Sequence, residues 1–215
     1  MRHSLLLLVI ALLIHACNSG YQPKPKGYFA IQVPTSRSYK LYSNPAFNCT
    51  FEYPTDCLLQ QDSNYIDPNS NNQSWVNLVY PNYNCIVYLS YNKVGGTASY
   101  KVMNNLTGKY KDTLKVNSFD KLVKDAFDLT GKHIYKSNEI TNTKVNNNNG
   151  VSGVLFTVGG DAASPLQFFV TDTAKHFFRG ALYYDAQPKQ DSTSPVTAFV
   201  KKDILHLINS MRWVK

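Results

Sequence analysis

Charged residues are scarce in this sequence and form no cluster. They make up 17% of the 215 residues, and the formal net charge of +8 is spread along the chain without a run of one sign. A nucleic-acid interface typically concentrates Lys and Arg in one patch or stripe. Because the sequence has no such stripe, we expect no nucleic-acid partner.

Cysteine is also rare, with four in the chain: Cys17, Cys49, Cys57 and Cys85. Their spacing matches no zinc motif, and no pair of histidines lies near them, so we expect neither a metal nor a cofactor. If Cys17 carries a lipid, as its surroundings indicate, three thiols remain. An oxidising compartment can pair at most two of these, and the sequence leaves open which.

The usual sequence motifs of hydrolases are absent as well. No G-x-S-x-G motif surrounds Ser164, although Asp172 and His176 follow it along the chain. The aspartates stand at predicted turns and do not pair as a glycosidase requires. We therefore predict no catalytic residues. A periplasmic hydrolase with its site among Asp172, His176 and Arg179 is the alternative, as is a small-ligand-binding module of the envelope.

The N-terminus, by contrast, carries a clear targeting pattern. Arg2 precedes an unbroken apolar run from Leu5 to Ile14, which at about ten residues is half of what a membrane-spanning helix needs. The run ends at Ala16-Cys17, where a small residue stands directly before a cysteine, as in a bacterial lipobox. We predict that residues 1–16 form a cleaved lipoprotein signal peptide. Cys17 would then carry the acyl chains, palmitate among them, that anchor the protein to a membrane.

The remaining chain is predicted to form a linker followed by one domain. Residues 17–34 are rich in Pro, Gly and Lys, a composition typical of an extended linker. Residues 35–215 contain no second linker. We therefore predict a single globular domain over 35–215.

Runs rich in β-forming residues predict several strands in this domain. Trp75–Tyr80 and Cys85–Tyr91 predict a hairpin, because a Pro-Asn-Tyr-Asn turn separates them. The connections between three later strands are too short for parallel crossovers, so these strands should be antiparallel neighbours. The other predicted strands are 47–53, 151–158, 166–171 and 176–184, and the residues after Gly95-Gly96 are predicted to form a loop.

Two helices complete the predicted fold. An apolar stripe predicts a helix over Ser118–Thr130, with Ser118 as N-cap and Gly131 as the residue after its end. A second helix is predicted to begin at Ser194-Pro195, with Ser194 as N-cap. Arg212–Val214 should dock back onto the core. This order of elements predicts an α+β fold in which helices flank an antiparallel β-sheet.

The predicted strand 176–184 contains a charge in an apolar row. Alternation puts Arg179 and Tyr183 on one face of this strand and His176 and Tyr184 on the other. A half-buried arginine needs a partner, and the near candidates are Asp172, Asp185 and Gln167. Arginine and aromatic residues dominate the energetics of protein interfaces. We therefore predict a partner-docking patch formed by Asp172, His176, Arg179, Tyr183 and Tyr184.

Several longer motifs in the predicted domain resemble one family. They are FEYP at 51–54, the run from Trp75 to Pro81, LSY at 89–91, the block from Ala163 to Asp185 and the segment from Pro188 to Val196. Together they resemble the gliding-motility lipoprotein family GldD over nearly all of the domain. The order of strands and helices also resembles the Mog1/PsbP-like sandwich, a likeness of fold alone.

The resemblance to the GldD family implies a binding role rather than a reaction. It implies a non-catalytic envelope lipoprotein, required for gliding motility and type IX protein secretion, which acts as a structural or assembly component by contacting other proteins of these machineries. No acidic cluster follows Cys17 to direct export to the cell surface. We therefore expect the domain to face the periplasm, with the outer membrane favoured for the anchor.

Three Asp-Ser/Thr tripeptides resemble O-glycan acceptor sites of periplasmic proteins in gliding bacteria. They begin at Asp112, Asp172 and Asp191. We treat them as candidate glycosylation sites.

Overall fold

A seven-stranded antiparallel sheet forms the centre of the fold. The computed structural model describes residues 31–44, 47–61, 75–103, 108–185 and 189–214. Within these ranges the strands are β1 (Tyr39–Asn44), β2 (Cys49–Pro54), β3 (Leu58–Gln60), β4 (Trp75–Tyr80), β5 (Cys85–Lys93), β6 (Thr97–Met103), β7 (Tyr110–Val116), β8 (Ile140–Asn146), β9 (Ser152–Val158), β10 (Leu166–Thr171), β11 (His176–Tyr184) and β12 (Arg212–Trp213). The helices are α1 (Phe119–Gly131) and α2 (Gln190–Ser210).

The described strands all pair in antiparallel fashion. The central sheet has the order β3-β4-β5-β11-β10-β9-β8, a smaller sheet has the order β1-β2-β12, and β6 pairs with β7. The predicted α+β fold, with a mainly antiparallel sheet and two helices, is confirmed.

Strongly apolar strands lie where the sequence predicts them. β4, β10 and β11 have the predicted bounds, and β9, β10 and β11 are antiparallel neighbours as expected. β4 and β5 form the predicted hairpin, with Asn84 in a left-handed conformation at φ 48° in its turn. The predicted docking of the C-terminus is confirmed, because β12 pairs with β2.

The predicted loop after Gly95-Gly96 is wrong, because β6 and β7 form a hairpin there. β8 was not predicted either, and most of its side chains are exposed at the edge of the central sheet. Polar edge strands lack the apolar alternation on which strand prediction depends.

Helix α1 begins as predicted and ends differently. Ser118 is its N-cap, and its Oγ accepts a hydrogen bond from the Lys121 backbone N–H at 3.4 Å. Gly131 lies within the helix rather than after it, and Lys132 forms the C-cap in a right-handed conformation. The glycine is not needed as a left-handed cap, because the chain continues from Lys132 into a short 3-10 turn at Ile134–Lys136.

Helix α2 begins at Gln190, so the predicted start at Ser194-Pro195 is wrong. Pro195 lies inside the helix, and Ser194 Oγ donates a hydrogen bond to the Gln190 carbonyl instead of capping. The first backbone N–H groups find acceptors elsewhere: Gln190 N–H donates to Asp161 Oδ1 at 2.9 Å. The apolar stripe of this helix is buried and contains Val196, Phe199, Val200, Ile204, Leu207 and Ile208.

Two hydrophobic clusters lie on the two faces of the central sheet. On one face, α2 and the β1-β2-β12 sheet enclose the larger cluster, which contains Phe51, Phe178 and Leu207. On the other face, Leu122 and Ala126 of α1 pack on aromatic residues of β9, β10 and β11. Neither helix of the described residues is long and apolar enough to cross a membrane.

Candidate functional site

Asp172 shapes the turn between β10 and β11. Its Oδ1 accepts hydrogen bonds from the backbone N–H groups of Ala174, Lys175 and His176 at 3.0, 2.8 and 2.8 Å. Thr173 has a left-handed φ of 64° in the same turn. Burial alone would raise the pKa of Asp172, but these hydrogen bonds lower it overall. The ionised carboxylate therefore holds the turn.

His176 lies between two aromatic side chains. Its Nδ1 is 2.8 Å from the Tyr91 hydroxyl, and its ring stacks on Trp213 with the ring centroids 4.9 Å apart. Its Nε2 is 3.9 Å from Asp172 Oδ2, which is too far for a hydrogen bond. Burial lowers the pKa of His176. The imidazole thus connects β11 to β5 and β12.

Ser164 is separated from this pair by the length of β10. Ser164 precedes the strand, whereas Asp172 and His176 follow it, and a strand rises about 3.3 Å per residue. The Ser164 hydroxyl is buried, and among the described residues it has no hydrogen-bond partner. The three residues do not form a triad.

Arg179 points to the α1 side of the sheet, where it contacts Gln167. Its Nη2 donates a hydrogen bond to Gln167 Oε1 at 2.7 Å, and the Thr130 hydroxyl donates to the same oxygen at 3.4 Å. Gln167 is therefore the partner that this arginine selects among the three predicted candidates. No carboxylate of the described residues forms an ion pair with Arg179. Burial lowers the pKa of Arg179.

The two tyrosines at the end of β11 lie on opposite faces. Tyr183 shares the face of Arg179, and its ring packs edge-on against Tyr88 with the centroids 5.7 Å apart. Tyr184 faces α2, where its hydroxyl lies 2.7 Å from Thr197 Oγ1. Burial raises the pKa of Tyr184 to about 12. Tyr184 therefore contributes to the contact between sheet and helix.

The structure does not bring the five predicted docking residues onto one surface. Arg179 and Tyr183 lie on the α1 side of the sheet, His176 and Tyr184 lie on the α2 side, and Asp172 lies in the turn. Successive side chains of a strand point to opposite faces, so no partner can bind all of them at once from one side. A single flat contact would reach Arg179 and Tyr183.

Exposed apolar side chains lie beside Arg179 and Tyr183. The strand register places Trp75 in the row of Arg179, and it places Leu58 in the row of Tyr183. Tyr88 lies between these rows. Leu58, Trp75 and Tyr88 are 60%, 47% and 39% exposed. We call these five residues, Leu58, Trp75, Tyr88, Arg179 and Tyr183, the aromatic face.

The aromatic face adjoins the part of the sheet that α1 covers. Leu122 and Ala126 of α1 pack on Phe156, Phe169 and Phe177, which lie on β9, β10 and β11. The exposed members of the aromatic face lie on β3, β4 and β5, toward the opposite edge of the sheet. The α1 side of the sheet therefore has a packed core toward one edge and exposed apolar side chains toward the other.

A buried ion pair that the sequence analysis missed joins Arg37 to Asp203. Asp203 is 2% exposed and lies on the apolar stripe of α2. Its Oδ1 accepts hydrogen bonds from Arg37 Nε at 3.2 Å and from the Tyr39 hydroxyl at 2.9 Å, and its Oδ2 accepts from Arg37 Nη2 and the Tyr80 hydroxyl. Burial alone would lower the pKa of Arg37, but hydrogen bonds to Asp203 and Asp56 raise it above its ordinary value. The sequence did contain one sign of this ion pair, because Asp203 stands among the apolar residues that form the buried face of α2.

A cavity of about 350 Å³ adjoins this ion pair, between residues 33–39 and α2. The Arg37 guanidinium lies 4.3 Å from the centroid of the Phe199 ring, which also lines the cavity. The small-ligand alternative would use this space. Its buried charges, Arg37 and Asp203, are already paired with each other.

Cys49, Cys57 and Cys85 are buried free thiols. Burial raises the pKa of each to about 12, which keeps them protonated and weakly nucleophilic. In the part of the chain that the structure describes, no group of three His, Cys, Asp or Glu side chains could hold a metal ion.

The predicted lipidation site, Cys17, lies outside the described residues. Of the candidate glycosylation sites, the one at Asp172 lies in the exposed turn after β10, and those at Asp112 and Asp191 lie in β7 and the first turn of α2. Both modifications stay predictions.

Comparison with known protein families decides the assignment. The sequence model of the family described as gliding motility lipoprotein GldD matches residues 18–213 of the chain. The chain belongs to the GldD family. As a GldD lipoprotein it is a membrane-anchored envelope protein associated with gliding motility, and the resemblance seen in the sequence motifs is confirmed.

Two further comparisons concern this GldD chain. No curated protein matches it. It is similar to the solution structure of cyanobacterial PsbP (CyanoP) from Synechocystis sp. PCC 6803, with a TM-score of 0.40 and 11% sequence identity, over 87% of this chain and 99% of that one. This likeness carries no functional conclusion for the GldD chain.

Proposed function

We propose that this GldD protein is a non-catalytic structural or assembly component of the gliding machinery and the type IX secretion system, and that it binds its partners through the aromatic face. Residues 1–16 are removed, lipid on Cys17 anchors the chain to the outer membrane, and the linker 17–34 holds the 35–215 domain in the periplasm.

The exposure of the aromatic face is the observation that carries this proposal. Leu58, Trp75 and Tyr88 each expose more than a third of their surface, and they lie on one sheet face in three successive rows. Neighbouring exposed apolar side chains mark interaction sites more often than isolated ones do. Tyr, Trp and Arg are the residue types enriched in interface hot spots. Arg179 and Tyr183 add an arginine and a second tyrosine to this surface.

The contacts of Asp172 and His176 favour this role over a hydrolase. Asp172 Oδ1 accepts hydrogen bonds from three backbone N–H groups of its own turn. His176 Nδ1 is hydrogen-bonded to the Tyr91 hydroxyl, and Arg179 lies on the opposite face of the sheet from His176. A hydrolytic site needs its acid, base and electrostatic group to converge on one reacting atom.

The test is a quantitative crosslink and pull-down from native membranes, with a C-terminally tagged protein. The double variant Leu58→Ser/Trp75→Ser should reduce the yield of captured gliding and type IX secretion proteins by at least about 30-fold. This corresponds to the loss of one hot spot of about 2 kcal/mol. Mass spectrometry of the captured proteins measures the yield.

The matched control is Leu41→Ser/Val214→Ser. These residues are 65% and 46% exposed and lie on β1 and at the end of β12, outside the aromatic face. The control should capture partners at the wild-type yield. Equal loss in both double variants, or no loss in either, would exclude the aromatic face as the docking surface.

A further inference from the structure

Arg179 carries a charge that the described residues do not neutralise. Its observed hydrogen-bond partner is the neutral amide oxygen of Gln167 at 2.7 Å. A guanidinium has five N–H donors in a planar fork, and this geometry matches a carboxylate. A half-buried guanidinium bound to an amide alone remains an uncompensated charge.

Gln167 supplies a second unused donor at the same place. Its side chain is 1% exposed, and its Nε2 has no hydrogen-bond partner among the described residues. The orientation of the amide is set by Arg179, because its Nη2 donates to Oε1 at 2.7 Å, whereas the single proton of the Thr130 hydroxyl has a nearer acceptor in the Ala126 carbonyl at 3.0 Å. Nε2 belongs to the same planar amide, so it lies within a few ångströms of the guanidinium. Buried amide N–H groups without an acceptor are rare in native proteins.

The surroundings of Arg179 also suit an anion. His133 and Tyr183 lie on this side of the sheet, with their ring centroids 6.5 Å apart. Burial lowers the pKa of His133, and the positive charge of Arg179 lowers it further. The His133 ring and the Tyr183 hydroxyl next to Arg179 carry N–H and O–H groups that can donate to an anion.

We infer that Arg179 forms a carboxylate-binding site at the rim of the aromatic face, which receives an Asp or Glu side chain of the bound partner protein, and that Gln167 positions the guanidinium from beneath. The nature of the partner rests on the proposed function; the carboxylate site does not. The planar fork favours a carboxylate held by two parallel hydrogen bonds. Partner binding is favoured because the site continues the aromatic face, and because the guanidinium of Arg179, which pairs with no carboxylate of the described residues, is complementary to an acidic side chain.

The carboxylate site is tested on the full-length lipidated protein in detergent micelles. The probe is N-acetyl-aspartate N-methylamide, and the readout is the ¹⁵N NMR signal of Arg179 Nε–H. We expect a saturable shift with a midpoint on the order of millimolar. The neutral probe N-acetyl-asparagine N-methylamide should cause no shift. Equal effects of the two probes, or no shift in either the wild-type protein or the variant Asp62→Asn/Asp67→Asn, would overturn the site.

The variant Gln167→Glu separates a ligand site from a purely structural contact. It places a carboxylate of nearly the same shape beside Arg179, so it should raise the midpoint for the aspartate probe at least tenfold and reduce partner capture by a similar factor. Its melting temperature should not fall, because the new pair neutralises Arg179. Normal partner capture by Gln167→Glu would overturn the partner role, even if the probe binds the wild-type protein.

The chain itself offers one competing source of carboxylate. Asp62 and Asp67 lie between β3 and β4, outside the described residues. If the wild-type protein shows no shift and the variant Asp62→Asn/Asp67→Asn does, the site binds the chain's own carboxylate and the partner role is wrong.

A failure of the aromatic face itself would appear separately, as unchanged partner capture by Leu58→Ser/Trp75→Ser. Arg212→Gln, which removes an exposed arginine on β12, is the control for charge loss and should leave the shift and the capture unchanged.

Discussion

Substitution of Asp203 by alanine is expected to lower the free energy of unfolding by about 3 kcal/mol. Removal of one partner of a buried ion pair costs about 3–5 kcal/mol, because the other charge stays buried without compensation. Arg37 retains its hydrogen bond to Asp56, whose side chain is 41% exposed, so we expect the lower end of this range. Tyr39 and Tyr80 also lose the acceptor of their hydroxyl groups.

Thermal unfolding followed by circular dichroism measures this effect. A domain of this size loses about 2–4 °C of melting temperature per kcal/mol, so Asp203→Ala should unfold about 6–12 °C below the wild type. The matched control is Asp128→Ala, which breaks the exposed pair with Lys124 and should cost less than about 1 kcal/mol. Equal losses in the two variants would show that the Arg37–Asp203 pair does not hold the segment before β1 onto α2.

A second variant tests whether the loss comes from the orphaned charge. Replacement of both partners, as Arg37→Met/Asp203→Leu, removes the two charges together and should recover most of the stability lost in Asp203→Ala. If the double variant is less stable than Asp203→Ala, the cause is the packing of the side chains rather than the unpaired Arg37 guanidinium.

Substitution of Phe178 by alanine is expected to destabilise the protein by about 3–5 kcal/mol. Phe178 is fully buried on β11, and its ring contacts Phe168 of the central sheet, Phe51 of the smaller sheet and Phe47 just before that sheet's strand β2. The ring therefore fills the space between the two sheets. The cavity left by alanine lies in the middle of the larger cluster, where surrounding side chains cannot collapse into it.

Urea unfolding at equilibrium measures this loss as a shift of the midpoint at constant slope. Phe127→Ala is the control, because Phe127 is an aromatic residue of α1 that is 43% exposed and should cost much less. A Phe178→Ala protein as stable as the Phe127→Ala protein would contradict the placement of Phe178 at the centre of the core.

The sequence predicted the strands that are mostly buried. β10 is buried along its whole length, and β11 is buried from Phe177 to Leu182 except at Arg179, so their apolar runs located both. β8 and the β6-β7 hairpin were not predicted, because their sequences have little regular spacing of apolar residues. The start of α2 was placed too late, because Pro195 is typical of a first turn and the preceding residues are polar.

The candidate site was predicted in part, for reasons that depend on particular contacts. The unusual charge of Arg179 in an apolar row was visible in the sequence, as was its sharing of a face with Tyr183. Its neighbours Leu58 and Trp75 were not foreseen, because they come from strands whose register only the folded sheet defines. The pairing of Arg37 with Asp203 spans most of the chain, and no local pattern links two residues so far apart.

Complementation of cells that lack this protein tests directly whether it acts by docking rather than by turnover. The variant Leu58→Ser/Trp75→Ser, present in membranes at the wild-type level, should abolish colony spreading and type IX secretion. His176→Phe retains a ring to stack on Trp213 but has no titratable nitrogen, and it should support both processes. The opposite pattern, with function lost in a folded His176→Phe protein and retained in Leu58→Ser/Trp75→Ser, would contradict the docking role and favour a hydrolase.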